Sequence, residues 1–164
     1  MADRAALLLL CAVVLSACGR APAAPHAAPA PAPSTPSLAA LDPCTLLSPQ
    51  DRSTAGISTV GKAKTIGEAR ACDWTVPSTF GLTITLDETN ALANLDVSEG
   101  KRTKKDVGAH QAVQVSGRGT CAVLLDIRGK SSVQVDVSNA SFTDTTLACS
   151  RASAVAGLVE PKLP

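Results

Sequence analysis

Between Cys72 and Val137, five separate runs place an apolar side chain at every second residue, and no other pattern constrains the fold of this chain so tightly. Cys72, Trp74 and Val76 alternate with Asp73 and Thr75. Leu82, Ile84 and Leu86 alternate with Thr83 and Thr85 after a short connection that contains Pro77. Val113 and Val115 follow, then Cys121, Val123, Leu125 and Ile127, and then Val133, Val135 and Val137, with Gln134 and Asp136 on the wet face. Successive residues of a strand point to opposite sides of a sheet, so each run predicts a half-buried antiparallel strand. Ser116-Gly117-Arg118-Gly119 and Arg128-Gly129-Lys130-Ser131 carry turn chemistry and separate the last three strands into a meander.

The flanks change period. Ala148, Ala152, Val155 and Val159 are spaced four, three and four apart, which predicts a helix over 145–159 with Asp144 as its cap and Pro161 as its stop; Leu147 and Leu158 flank the stripe. Upstream, Asp42-Pro43-Cys44 reads as one helix start, and Ser48-Pro49-Gln50-Asp51 as a second, ended by Gly56. Strands that follow one another rather than alternate with long helices imply an α+β fold. The expectation is a mostly antiparallel β-sheet packed against a C-terminal helix and short N-terminal helices.

Ahead of this domain stand two segments of a different kind. Ala5–Ala17 is an uncharged run of thirteen residues behind Arg4. A bilayer span needs about 20, so the run reads as the core of a signal peptide. It ends in Leu15-Ser16-Ala17-Cys18, the order of a bacterial lipobox: small side chains suit a narrow protease cleft, and Cys18 supplies the sulfur that takes a diacylglyceryl group. Cys11 would leave with residues 1–17. An ordinary secretory signal, cut at an A-x-A-like site nearby, is the alternative. The next eighteen residues, 19–36, hold seven Ala and six Pro. Proline fixes φ and removes backbone donors, so residues 18–40 read as a tether; at about 3.1 Å per residue its Pro-rich part reaches roughly 50 to 60 Å. His26 lies in it as a solvated residue. The remaining residues, 41–164, suffice for one core.

Setting aside Cys11 and Cys18 leaves Cys44, Cys72, Cys121 and Cys149. An even number in an exported domain implies disulfides. Three connectivities are open; the favoured one joins Cys44 to Cys72 and Cys121 to Cys149, each closing a separation of 28 residues between a helix and a strand. In the chain-entropy account such a loop contributes about 3.6 kcal/mol. Trp74, beside Cys72, is expected to shield a disulfide in the core.

Asp42-Pro43-Cys44-x-Leu-Leu, Cys72-x-Trp74, Gly108-x-x-x-Ala112-Val113, a strand-borne Cys121 and a helix-borne Cys149 before Leu163-Pro164 occur in an order that resembles a family of lipoproteins of high-GC Gram-positive bacteria, a domain of unknown function. The resemblance spans about 41–164 and departs at Ala109-His110-Gln111, where a proline often precedes the alanine. It implies an envelope location and, by similarity to small sandwiches of the photosystem PsbP type, a helix-backed antiparallel sheet. It brings no catalytic residues.

The chemistry left to the residues is sparse. Fifteen Lys and Arg against 14 Asp and Glu leave a formal charge of +1, and aromatics are 2%: Trp74, Phe80 and Phe142. Base-stacking grooves need more, so no nucleic-acid partner is expected. The solitary cysteines lack the close ligand pairs of a zinc site, no phosphate-cradling loop is present, and no cofactor is expected. No G-x-S-x-G elbow occurs. His110 at a strand entrance and the adjoining Asp87-Glu88 read as a surface residue and a solvated turn. Asn139-Ala140-Ser141 fits a glycosylation sequon that a bacterial export signal makes incidental. Lys101-Arg102-Lys104-Lys105 reads as a solvated loop or, more sharply, as a patch for anionic headgroups or wall polymers. The function these features support is a noncatalytic, lipid-anchored binding or accessory module on the outer face of the cell membrane, with an envelope protein or small apolar ligand as partner. A lipid carrier with a cavity lined by Val123, Leu125 and Val155 is the alternative, and an envelope hydrolase built on His110 and a nearby acid a lesser one.

Overall fold

The computed structural model describes residues 37–95 and 100–164. Cys18, the apolar run before it and the Ala/Pro-rich segment up to Pro36, with the readings made of them, lie outside the described residues. Seven strands form one antiparallel sheet: β1 (Lys62–Ile66), β2 (Ala69–Val76), β3 (Phe80–Asp87), β4 (Lys101–Val107), β5 (His110–Ser116), β6 (Thr120–Ile127) and β7 (Ser131–Asn139). Their spatial order is β1-β2-β3-β7-β6-β5-β4, two meanders joined where β3 pairs with β7. Helix α1 (Pro49–Thr54) precedes the sheet and α2 (Thr145–Val159) follows it. The α+β architecture anticipated from the alternating runs is the one observed, and both disulfides, Cys44–Cys72 and Cys121–Cys149, are formed.

Register sorts the side chains onto two faces. Opposite one another on the first lie Cys72, Ile84, Val135 and Val123, with Trp74, Leu82, Val137 and Cys121 in the next row. All eight are buried. Helix α2 packs on this face over β6 and β7, using Ala148, Ala152, Val155, Ala156 and Val159; its small residues let the helix come close. Asp144 caps it by accepting from the Leu147 backbone N–H at 2.9 Å. The helix stops at Val159, and Pro161 sits in the short turn of 3₁₀ helix that follows it, Glu160–Lys162.

The stretch from Leu38 to Ile57 lies on the same face, burying Leu38, Leu46, Leu47 and Ile57. Its first expected helix does not form. The Asp42 carboxylate accepts from the backbone N–H of Cys44 at 2.8 Å, and the backbone N–H and hydroxyl of Thr45 both donate to the Asp42 carbonyl, so the chain turns once and moves on. Such local bonds compete with helix, and Leu46 and Leu47 can then both face the core. Cys44 therefore joins a turn, not a helix, to β2. The second start is real: Ser48 and Asp51 form a reciprocal capping box, Pro49 opens α1, and Gly56 follows its end at φ +72°.

Two strands lie beyond the alternating runs. Strand β1 is exposed along its whole length, and β4 contains Lys101-Arg102-Lys104-Lys105, which is an edge strand and not a loop. At a sheet edge one neighbour supplies the ladder and both faces can stay wet, so a charged sequence is compatible with a strand; lysines there also oppose edge-to-edge association.

Candidate functional site

The second face of the sheet has no α-helix over it among the described residues; the short 3₁₀ turn Leu92–Asn94 lies against β6, and the loop before it is bonded to β7 where the Ser132 hydroxyl donates to the Asn90 carbonyl. One row across this face reads Lys62, Asp73, Thr83, Asp136, Ala122, Val115 and Arg102 from β1 to β4, and the next reads Lys64, Ala71, Thr85, Gln134, Leu124, Val113 and Lys104. Bases stand at both edges and acids near the middle. Gly81 and Ala122 remove side-chain bulk from the centre. A hollow of about 1060 Å³ results, floored by Thr83, Gln134, Asp136 and Ser138 and rimmed by Thr75, Arg118 and Phe142. A second hollow of about 1040 Å³ lies beside Leu92 and Leu95, against Arg102, Lys104 and Val113.

The two acids differ in environment. Burial raises the pKa of Asp73, but hydrogen bonds from the Thr83 hydroxyl at 2.7 Å and from Lys64 Nζ at 2.9 Å outweigh it and hold the carboxyl below its usual range. Asp136 is desolvated with less help. Gln134 Nε2 donates to both of its oxygens, at 2.9 and 2.8 Å, and Lys64 acts only from a distance. Burial pushes its pKa up to about 6.

The rim is set by an unusual turn. Phe142 and Asp144 both adopt positive φ, 48° and 51°, and Gly119, at φ 62°, lies so close beneath that a Cβ there would stand 2.2 Å from the Phe142 carbonyl carbon. Asn139 holds the turn from below, its Nδ2 donating to the carbonyls of Thr143 and Asp144. The Phe142 side chain is 57% exposed at the mouth of the hollow.

His110 opens β5, as expected of a strand entrance, and its Nδ1 lies 3.0 Å from Glu160 Oε1. The same oxygen accepts from the Ala109 backbone N–H at 2.8 Å, and these two bonds keep the Glu160 carboxyl below its usual range. His110 Nε2 faces the Pro164 carbonyl at 3.4 Å. Neither residue lines either hollow. The pair clasps the β4–β5 turn to the end of the chain. Asp87 accepts from the backbone N–H groups of Thr89 and Asn90, and Glu88 pairs with Arg70, so these adjoining carboxylates point apart. Within β4, Arg102 and Lys104 face the open side and Lys105 the helix side, where its ammonium reaches Ser153 at 2.9 Å. Val123, Leu125 and Val155 sit in packed core at 0%, 0% and 2% exposure. Trp74 and the Cys72 sulfur both press on Gly61, which places the indole beside the Cys44–Cys72 bridge.

The family described as "Protein of unknown function (DUF3558)" matches residues 13–162. The chain belongs to that family. No curated protein and no solved structure matches. The DUF3558 match takes in Cys18, the Ala/Pro segment, all four bridged cysteines and both faces of the sheet. The open-face residues of this DUF3558 domain went unnoticed as a site in the sequence. The signal was present in the alternation: Asp73, Thr83 and Asp136 occupy the polar phase of three runs, and Gly81 and Ala122 put small residues in that same phase.

Proposed function

We propose that this chain is a lipid-anchored envelope lipoprotein whose domain is a noncatalytic binding module, with the open sheet face as its binding surface. Cys18, lying behind a thirteen-residue apolar run and ahead of the Pro-rich tether, would carry the diacylglyceryl group. A single acyl chain binds membranes only marginally, whereas two hold stably. The disulfides support an oxidising, extracytoplasmic location. The observation that carries the binding reading is the asymmetry of the sheet: one face is packed under α2, while the other keeps a polar-floored hollow of about 1060 Å³, the size of a ligand site.

The test has two arms. In a host that processes lipoproteins, an alkynyl fatty acid should label the wild-type chain and not Cys18→Ser; an unlabelled wild-type chain overturns the anchor. A photo-crosslinking residue at Thr75, on the open face, should give discrete products in the native envelope that the same group at Ser150, on exposed α2, does not. Equal products at both positions overturn the binding surface.

A further inference from the structure

Asp136 is a carboxylate placed where an amide would be easier to keep. It occupies the centre of the open-face row, between Thr83 and Ala122, and Gln134 supplies its one hydrogen-bonding side chain among the described residues. A carboxylate offers about four acceptor positions, so a single amide nitrogen leaves capacity directed at the hollow. Asp73, by contrast, is already matched to Lys64. No cation lies within ion-pair distance of Asp136 among the described residues. Thr120 and Ser138 bring hydroxyls to the same hollow, and Phe142 stands half-exposed at its mouth on a backbone fixed by Gly119 and Asn139.

We propose that the hollow takes a small organic monocation, its ammonium group seated on the Asp136 carboxylate and its apolar body against Phe142. A half-buried carboxylate and an aromatic face both favour a cation over a neutral group. Arg118 on the rim, the one cationic side chain of the described residues that line the hollow, repels a second positive charge and favours a ligand with one. A divalent metal ion fits poorly, since among the described residues no group of three or more His, Cys, Asp or Glu converges. The inference rests on the reading of the open face as the binding surface and names the chemistry that the face would select.

The probes are phenethylamine and its uncharged counterpart 2-phenylethanol, titrated into the ¹⁵N-labelled mature chain purified in detergent. Phenethylamine should shift the amides of Thr83, Ala122 and Ser138 saturably and bind at least tenfold more tightly than the alcohol. Asp136→Asn should reduce that preference to within twofold while leaving the α2 amides in place. Comparable binding of amine and alcohol in the hollow overturns the cation and keeps the open face as a binding surface. Saturable shifts confined to other parts of the chain, or none with the amine, overturn the inference, and the crosslinking comparison then decides the surface separately. Retained preference in Asp136→Asn overturns the role of that carboxylate. If the variant does not fold, the wild-type comparison of amine with alcohol decides alone.

Discussion

Gln134 reaches along its own strand to Asp136, and its one amide nitrogen donates to both carboxylate oxygens, at 2.9 and 2.8 Å. That contact does not offset desolvation, and the carboxyl titrates near 6 instead of its ordinary 3.8. The folded state then binds this proton more tightly than the unfolded state. Stability from this group is full below about pH 4, falls as pH rises toward 6, and is constant above. The loss is at most about 3 kcal/mol. Asp136→Asn keeps the bond to Gln134 and removes the titration. Relative to wild type it should gain about 1 to 3 kcal/mol at pH 7 and nothing at pH 4. Urea denaturation at a series of pH values measures this, and a pH-independent difference would contradict it.

Gly108 and Glu160 occupy each other's space. At φ +55° the glycine opens the β4–β5 hairpin, and a Cβ there would lie 2.2 Å from the Glu160 carboxyl. Gly108→Ala should cost about 2 to 3 kcal/mol, part from the left-handed backbone and part from displacing the carboxylate. Because Glu160 sits low by virtue of the Ala109 N–H and His110, its contribution is present above its unfolded pKa and lost as pH falls. Glu160→Ala should relieve the collision, so the double variant should be less damaged than the two single costs summed. Strict additivity in a double-mutant cycle would rule this contact out.

Asn139 is 4% exposed and uses both ends of its amide: Nδ2 donates to the carbonyls of Thr143 and Asp144, at 3.1 and 2.8 Å, and Oδ1 accepts from Arg151 Nη1 at 2.7 Å. Arg151 also lies 4.4 Å over the Phe80 ring, so one side chain ties the turn, the helix and β3 together. Asn139→Ala should cost about 1 to 3 kcal/mol, since the buried amide is lost and with it the bonds to two turn carbonyls and a guanidinium. Asn139→Asp should do no better, because it keeps the acceptor for Arg151 but turns a second oxygen toward those carbonyls. A thermal-melt series shows whether the aspartate rescues; rescue would mean that the arginine contact alone matters.

Period-two alternation made β2, β3, β6 and β7 legible, because each buries one face and shows it in every second residue; in β5 the phase of the run misled, since Val113 and Val115 lie on the open face and Ala112 is the residue that is buried. Strands β1 and β4 bury little, so Lys62-Ala63-Lys64 and Lys101-Arg102-Thr103 carry no such signal and become strands only through the neighbour that pairs with them. Asp42 misled for a related reason: its side chain serves a turn as well as a helix cap, and burial of Leu46 and Leu47 decided between them. The same logic applies to the site. Gln134 and Asp136 were legible as facing away from the core, yet the desolvation of Asp136 depends on residues from β3 and β6 that no local window contains.

The Cys44–Cys72 bridge ties a segment with little regular structure to β2. Between Leu38 and Ile57 the one α-helix is six residues long, and the segment is otherwise held by Arg70 donating to the carbonyls of Leu38 and Leu41 and by Lys162 reaching Asp51 and the Leu46 carbonyl. The Cys121–Cys149 bridge instead joins β6 to α2, two elements already packed together. Replacing Cys44 and Cys72 together by Ala should cost about 2 to 4 kcal/mol and should act first as a local opening. In native-state hydrogen exchange, amides of 38–57 should lose protection while those of β6, β7 and α2 keep most of theirs. Replacing Cys121 and Cys149 should lower protection across the sheet and helix alike. Indistinguishable exchange patterns in the two variants would show that the N-terminal segment and the sheet unfold as one unit.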